Sequence, residues 1–406
     1  MTSLYTACIK KTYYYERIVW NARKLFIRGG DGTKDALDLF DSEWRNIKLT
    51  LQQLSEYIKV HATAAELYSS IVKACFFGLH LRTTPAEQIV WLKAAIASAQ
   101  KIDDRKAEGL HLGNLGIAYK NMRKPHKSIE CYRHVLEIAD KLSSIQGKCT
   151  ALHNMGLAYS SAGELNKAIE CYNKALADIP ESFKRRSKSR ILGDLGTVYM
   201  SLGRFSRAIE YYENALAIVV NGADIQGEGQ ILANMGNAYL HKGDAGHAVE
   251  LYRRAFRIFD SIDDIKGKGK IFGNLGQVWA DKKDFRRALR FHMLHVKLAQ
   301  RVHDFRGIYE ALSAIGGVYR LMGRIKDSIS YLRKAKKLAK EADDTLAEAK
   351  VCWNLGLSYI ENGNRTRGIK LMRVLVDYEK KMDHADAERD AIILESIEDG
   401  RQVSSL

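Results

Sequence analysis

The sequence predicts an all-α chain, a stack of antiparallel helix pairs, and three observations predict it. A cluster of Asn, Leu or Met, and Gly recurs at a spacing of 40 residues: Asn114-Leu115-Gly116, Asn154-Met155-Gly156, Asp194-Leu195-Gly196, Asn234-Met235-Gly236, Asn274-Leu275-Gly276, Ala314-Ile315-Gly316 and Asn354-Leu355-Gly356. Three residues after each of these glycines stands an aromatic: Tyr119, Tyr159, Tyr199, Tyr239, Trp279, Tyr319 and Tyr359. The 406 residues include only three prolines, Pro85, Pro125 and Pro180, and no Gly/Ser-rich linker, so little interrupts helix from end to end. A period held this strictly marks a repeat architecture, in which each unit buries its apolar face against its neighbours.

The elements follow in chain order. Two helices, about 4–28 and 34–58, flank the turn Gly29-Gly30-Asp31-Gly32, and residues 1–62 read as an N-terminal helical cap. Residues 63–103 read as a degenerate repeat, because Pro85, Ile89 and Trp91 fall one period before Pro125, Ile129 and Cys131. Seven full repeats fill 104–382, and 383–406 supply a capping helix and tail. Terminal units depart from the pattern because they close the stack against water. Within a repeat, Leu115, Gly116 and Tyr119 share one stripe of the first helix. Gly116 lets the second helix approach, and Tyr119 fills the space beside it. A turn glycine follows (Gly163, Gly203, Gly243, Gly323 and Gly363, with Arg123 and Lys283 in its place in two repeats), where a helix end favours left-handed backbone. Ala168 and its equivalents form the small contact where the paired helices cross. Asp104, Asp224, Asp264, Asp304 and Asp344, with Ser144, precede the first helices as N-caps.

This Leu-Gly-x-x-Tyr…Ala-x-x-x-Tyr pattern resembles the tetratricopeptide repeat, lengthened to 40 residues from the usual roughly 34. The Asn-Leu-Gly version is similar to the repeats of spindle-orientation scaffolds. It is more similar still to the C-terminal sensor arrays of bacterial STAND/NB-ARC signalling ATPases. Leu39-Phe40-Asp41-Ser42-Glu43-Trp44 and Trp91-Leu92-Lys93-Ala94-Ala95 resemble the segment that joins such an ATPase core to its repeats, and Asp386-Ala387-Glu388-Arg389 fits the same pattern. The resemblance implies a right-handed superhelical solenoid. It covers nearly the whole chain but concerns a sensor region only. No Gly-x-x-x-x-Gly-Lys-Ser/Thr loop occurs, so no ATPase activity comes with it.

A formal net charge of +16 favours acidic partners: an acidic protein segment, nucleic acid or an anionic surface. No stretch of about 18 or more apolar residues exists to span a membrane. The N-terminus, with Lys10, Lys11 and Arg17 among tyrosines, lacks the apolar core of a secretory signal. The six cysteines include no Cys-x-x-Cys pair, and Cys131 and Cys171 share a packing position, which points to a reduced, cytoplasmic setting.

In tetratricopeptide solenoids the first helices line a concave groove, and residues two before and one after the Gly project into it. Carried onto this sequence, the resemblance implies a groove row of Asn114, Asn154, Asp194, Asn234, Asn274, Ala314 and Asn354. A second row is Ile117, Leu157, Thr197, Asn237, Gln277, Gly317 and Leu357, and His153 stands beside Asn154. Each carboxamide offers a donor and an acceptor, so a row of them suits the backbone of an extended peptide whatever its sequence. The same Asn can instead tie neighbouring helices together. A purely structural Asn would fill every repeat, however, and Asp194 and Ala314 break the row. Asn234, Asn237, Asn274 and Gln277 form the most polar section, where a peptide is expected. Arg190, Lys270 and Lys350 share a position at the groove edge and suit a carboxylate or phosphate. Lys184, Arg185 and Arg186 open the third repeat as a basic cluster, and a second cluster runs from Arg320 to Lys340. A solvated helix face and a mobile linker account for such clusters as readily as a ligand does.

Catalytic signals are weak. His292 and His295 lie three apart on a second helix without a third ligand, and His295 replaces a small residue, so packing explains it better than a metal. His153 has no nucleophile paired with it. Carboxylates scatter over helix exteriors with no buried pair. The aromatics belong to repeat packing and do not interleave with exposed cations, which weighs against single-strand stacking. The expectation is a non-enzymatic scaffold or sensor that needs no cofactor. It takes a peptide or protein of acidic character in its groove, as adaptor or regulatory subunit of a signalling or defence effector. The alternative is a basic nucleic-acid-binding or anion-regulated accessory protein. Sequence is silent on oligomeric state.

Overall fold

Apolar residues at helical spacing fold into helices throughout. The computed structural model describes residues 2–28, 31–179, 184–220, 224–381 and 386–399, and among these every regular element is an α-helix. The chain divides into two compact units, Met1–Pro180 and Glu181–Leu406.

The first unit holds α1 (Thr2–Arg28), α2 (Asp31–Ser55), α3 (Ala62–Arg82), α4 (Pro85–Lys101), α5 (Arg105–Asn121), α6 (Pro125–Lys141), α7 (Ile145–Ser161) and α8 (Leu165–Ala177). α1 packs on both α2 and α3, and each later helix packs on its chain neighbour. α2 stops at Ser55, short of the expected end, because the backbone tightens into turns such as Tyr57 N–H to the Leu54 carbonyl (3.0 Å). The core under α1 and α2 is continuous with the first repeat. Val19, Phe40, Ile47 and Leu54 cluster with Ile71, Leu92, Leu115 and Cys131, all buried. An apolar repeat face that would otherwise meet water is thereby covered.

The second unit holds α9 (Lys184–Ser201), α10 (Phe205–Val220), α11 (Ile225–His241), α12 (Ala245–Ser261), α13 (Ile265–Asp281), α14 (Phe285–Arg301), α15 (Phe305–Leu321), α16 (Ile325–Glu341), α17 (Thr345–Glu361), α18 (Arg365–Lys381) and α19 (Ala387–Glu398). First helices of successive repeats also touch one another, α11 with α13, α13 with α15 and α15 with α17. At the far end Leu394 and Ile397 of α19 join Met372 and Val376 of α18 in a buried cluster.

The repeat glycine serves a ring. Tyr132, Tyr172, Tyr212 and Tyr252 are fully buried second-helix side chains, and each lies against the glycine of its partner helix. A Cβ at Gly116, Gly156, Gly196 or Gly236 would stand 2.4–2.6 Å from ring carbons, closer than any real contact. The room at Gly116 is therefore made for Tyr132 rather than for Tyr119. First helices end on left-handed residues, Gly163 to Gly363 in five repeats and Arg123 (φ 54°) and Lys283 (φ 60°) in two. Second helices end likewise on Asp103, Ser143, Asp263, His303 and Asp343 (φ 50–55°), positions that no glycine marks.

N-caps stand where the sequence places them. The side chains of Asp104, Ser144, Asp224, Asp264, Asp304 and Asp344 each accept a hydrogen bond from the backbone N–H three residues on. Asp264 Oδ1 takes the Gly267 N–H at 2.8 Å. Asp264→Ala is expected to cost about 1 kcal/mol, whereas Asp264→Asn should leave stability nearly unchanged. Urea denaturation of the two variants checks this, and equal midpoints would remove the cap from the account.

Candidate functional site

The first helices α11, α13 and α15 leave an open cleft of about 410 Å³ along their shared face. Five carboxamides stand among apolar neighbours on its walls: Gln230, Asn234 and Asn237 on α11, Asn274 and Gln277 on α13. Lys270 of α13 and Glu310 of α15 add charge, while Ala314 leaves the α15 wall open. Positions 270, 273, 274 and 277 are the turns of one helix face, which is why they converge. Asn234, Asn237, Asn274, Gln277 and Lys270 thus come together in one place.

Part of this polar set is engaged by the fold. Tyr252 Oη donates to Asn237 Oδ1 at 2.6 Å, Gln230 Nε2 to Asn234 Oδ1 at 3.0 Å, and Gln277 Nε2 to Asp281 at 2.7 Å. These bonds use one end of each carboxamide. Shaping the groove and offering hydrogen bonds to a ligand are compatible on the same side chains.

Sequence reasoning did not place the floor of the cleft in the site. It is formed by His292 and His295 of α14, 2% and 8% exposed. Four earlier repeats carry Tyr at the position of His292, and the shorter imidazole sends no hydroxyl up to the groove row. α13 can lie over these rings because of three glycines. A Cβ would stand 2.6 Å from His292 at Gly276, and 3.0 Å from His295 at both Gly269 and Gly273. Neither ring nitrogen of His292 has a hydrogen-bond partner among the described residues. Burial, with His295 alongside, pushes the His292 imidazole down to about 4, so it is neutral at pH 7. Burial lowers His295 too, against the pull of the Glu310 and Asp304 carboxylates. Packing explains why room exists for these rings; it does not explain the unpartnered nitrogens.

The other expected site residues do not line this cleft. Asn354 of α17 donates to Ser313 Oγ at 3.4 Å. In the first unit Asn114 is buried, Asn154 is half-buried, and the His153 ring lies 5.9 Å from that of Tyr172. Arg190 and Lys350 are exposed on α9 and α17. Arg186 Nε stands 3.8 Å from Asp224, while the side chains of Lys184 and Arg185 lie outside the described residues. In the second basic cluster Arg320 pairs with Glu361 of the next repeat and Arg324 with Asp327, both at 2.7 Å.

Two expectations are corrected. Exposed cations do meet the repeat aromatics: Lys127, Lys167, Arg207, Arg287 and Arg367 lie 4.4–5.8 Å from the ring centroids of Tyr119, Tyr159, Tyr199, Trp279 and Tyr359. In these five repeats the turn after the first helix brings the residue eight positions on back over the ring, a juxtaposition that linear interleaving does not reveal. There is also a buried carboxyl pair, Glu379 (1% exposed) and Asp390 (7%), covered where α19 docks on α18. Among the described residues no three His, Cys, Asp or Glu side chains are placed to hold a metal. No described helix is long and apolar enough to cross a membrane.

Family models described as tetratricopeptide repeat match residues 92–179 and 187–261, and a further one matches 309–341. The chain is a tetratricopeptide-repeat protein. A search of curated protein sequences finds no match. Among solved structures, the tetratricopeptide chain is similar to aspartyl phosphate phosphatase F from Bacillus subtilis (TM-score 0.55, 13% identity, covering 90% of this chain and 94% of that one). It is similar to a Rap protein complexed with competence and sporulation factor (TM-score 0.55, 12% identity, 83% of this chain and 98% of that one). A third likeness is to a signal transduction ATPase with numerous domains, with a tetratricopeptide repeat sensor, from Pyrococcus horikoshii (TM-score 0.52, 16% identity, 83% of this chain). The chain spans half the length of that ATPase. At these identities the likeness is one of fold.

Proposed function

We propose that this tetratricopeptide protein is a non-enzymatic interaction module, and that the α11–α13–α15 cleft holds an extended segment of a partner protein. The observation that carries the reading is the convergence of Gln230, Asn234, Asn237, Asn274 and Gln277 with Lys270 on one open face. Carboxamides spaced along parallel helices offer paired donors and acceptors to a peptide backbone, and each bond adds about 0.5–1.5 kcal/mol net. Affinity therefore depends on several acting together. The chain's +16 charge and Lys270 at the cleft favour a partner of acidic character. In this reading the protein is an adaptor or regulatory subunit of a signalling or defence effector.

The test compares the intact chain with Asn234→Ala/Asn274→Ala. Affinity purification from the protein's own cell extract identifies what each retains, and calorimetry on the purified partner measures the difference. A loss of about tenfold or more is expected, with unchanged helix content by circular dichroism. A partner bound equally well by both chains would sink the groove assignment.

A further inference from the structure

The floor of the cleft carries a chemical feature that a peptide-backbone groove does not need. His292 is almost wholly buried, borders the open cleft, and has no partner for either ring nitrogen among the described residues. Leaving a buried polar group unsatisfied is costly, and the two rings sit in the room left at Gly269, Gly273 and Gly276 of α13. In the fourth repeat the same depth is filled by Tyr252, whose hydroxyl bonds Asn237. In the fifth the imidazole ends short against Gly276, and Gln277 turns away to Asp281.

We propose that His292 and His295 form a buried anchor for an acidic side chain of the partner, which binds with uptake of one proton from water. The proposal rests on the groove reading above and names the chemistry at its floor. The charge around the cleft selects the ligand's sign. Lys270 stands on the α13 wall, the Glu310 carboxylate is held by Arg306 at 2.7 Å, and the remaining polar lining is neutral carboxamide. A carboxylate entering here meets a cation and an N–H donor rather than an uncompensated negative charge.

The proton follows from the same geometry. A neutral imidazole has one N–H donor and one bare nitrogen. Alone in this site the ring stays neutral, because a buried imidazolium has nothing to offset its desolvation. A carboxylate docked beside it supplies that offset. One proton from solvent adds to the bare nitrogen, one N–H bond forms, and a neutral ring plus an anion become an ion pair. The other groups facing the rings supply that offset only in part: Glu310 and Asp304 pull His295 upward without overcoming burial. From α13 come Lys270, which opposes protonation, and Asp281, which is bonded to Gln277. From α15 and its cap come Asp304, which accepts the Gly307 N–H at 3.2 Å, and the Arg306–Glu310 pair. α12 presents Phe259, and α11 presents only carboxamides and Ala233.

The experiment is a histidine-detected NMR titration of the full chain labelled with 13C-histidine. Resonances are assigned with His292→Tyr, which restores the residue of the earlier repeats, and with His295→Ala as a second reference. The probes are N-acetyl-Ala-Glu-Ala-amide and its Gln counterpart, each in millimolar excess. The Glu peptide is expected to move the His292 titration midpoint upward and to bind about tenfold more tightly at pH 6 than at pH 8. The Gln peptide should show neither effect, and His292→Tyr should abolish the preference. Equal perturbation by both peptides would overturn the anchor and leave the groove intact. No perturbation by either peptide would also overturn it, and the groove would then be judged by the Asn234/Asn274 comparison alone.

Discussion

Tyr252→Ala is expected to destabilise the second unit by about 3–5 kcal/mol, and Tyr252→Phe by only about 0.5–1.5 kcal/mol. The Tyr252 ring is fully buried against Gly236, so truncation removes an aromatic group and leaves a hole between α11 and α12. Those helices cannot close the hole easily, because each also packs on the next repeat. The Phe variant keeps the ring and loses only the hydroxyl bond to Asn237, whose carboxamide is half-buried and can bond water instead. Because a repeat touches mainly its neighbours, the loss should concentrate near α11 and α12. Urea denaturation gives the size of the effect and hydrogen exchange its location. Equal midpoints for the two variants would show that the ring on the glycine is not what holds the pair together.

The same contact explains how much of the fold is legible in the sequence. Gly236 and Tyr252 lie 16 residues apart in one repeat, and Gly116 with Tyr132, Gly156 with Tyr172 and Gly196 with Tyr212 repeat the relation. Such packing is local, so periodicity displays it. The turn glycines and the capping aspartates are legible for the same reason, each acting within a few residues of its own position. The ends of the second helices escaped notice because Asp103, Ser143 and His303 adopt left-handed backbone without a glycine to announce it.

The candidate site was legible only along its walls. The positions of Asn234, Asn237, Asn274 and Gln277 follow from helix geometry once the repeat is aligned. The floor depends on two departures from the repeat, His292 where Tyr is usual and His295 where a small residue is usual, beneath Gly269 and Gly273, positions that other repeats also fill with glycine (Gly109 and Gly229, Gly113 and Gly193). Only α13 laid over α14 shows that the glycines leave the room these two rings occupy. The bond from Tyr252 to Asn237 likewise joins a packing position to a groove position, so the division between them is less sharp than the sequence suggests.

Glu379 supplies the second large effect, and its sign is opposite to that of an ordinary surface carboxylate. The side chain is buried with one oxygen unpartnered, and burial, with Asp390 and Asp386 nearby, pushes its carboxyl up to about 7; Lys350 acts in the other direction. Arg389, which pairs with Asp386 and Asp390 at 2.9 Å, is already engaged there. Below the unfolded value of 4.5 both states hold the proton and the site costs nothing. Between 4.5 and about 7 the unfolded chain ionises first, so stability falls by about 1.4 kcal/mol per pH unit; above that range both states are ionised and the slope ends. The accumulated cost is on the order of 3 kcal/mol. Glu379→Gln keeps the shape and removes the ionisation. It is therefore expected to stabilise the α18–α19 end by about that amount at pH 8 and to match the native chain near pH 4.5. Hydrogen exchange of α18 and α19 at the two pH values measures the difference. A Gln variant equally protected at both, with no gain over the native chain at pH 8, would mean that Glu379 is ionised in the fold and compensated by a cation.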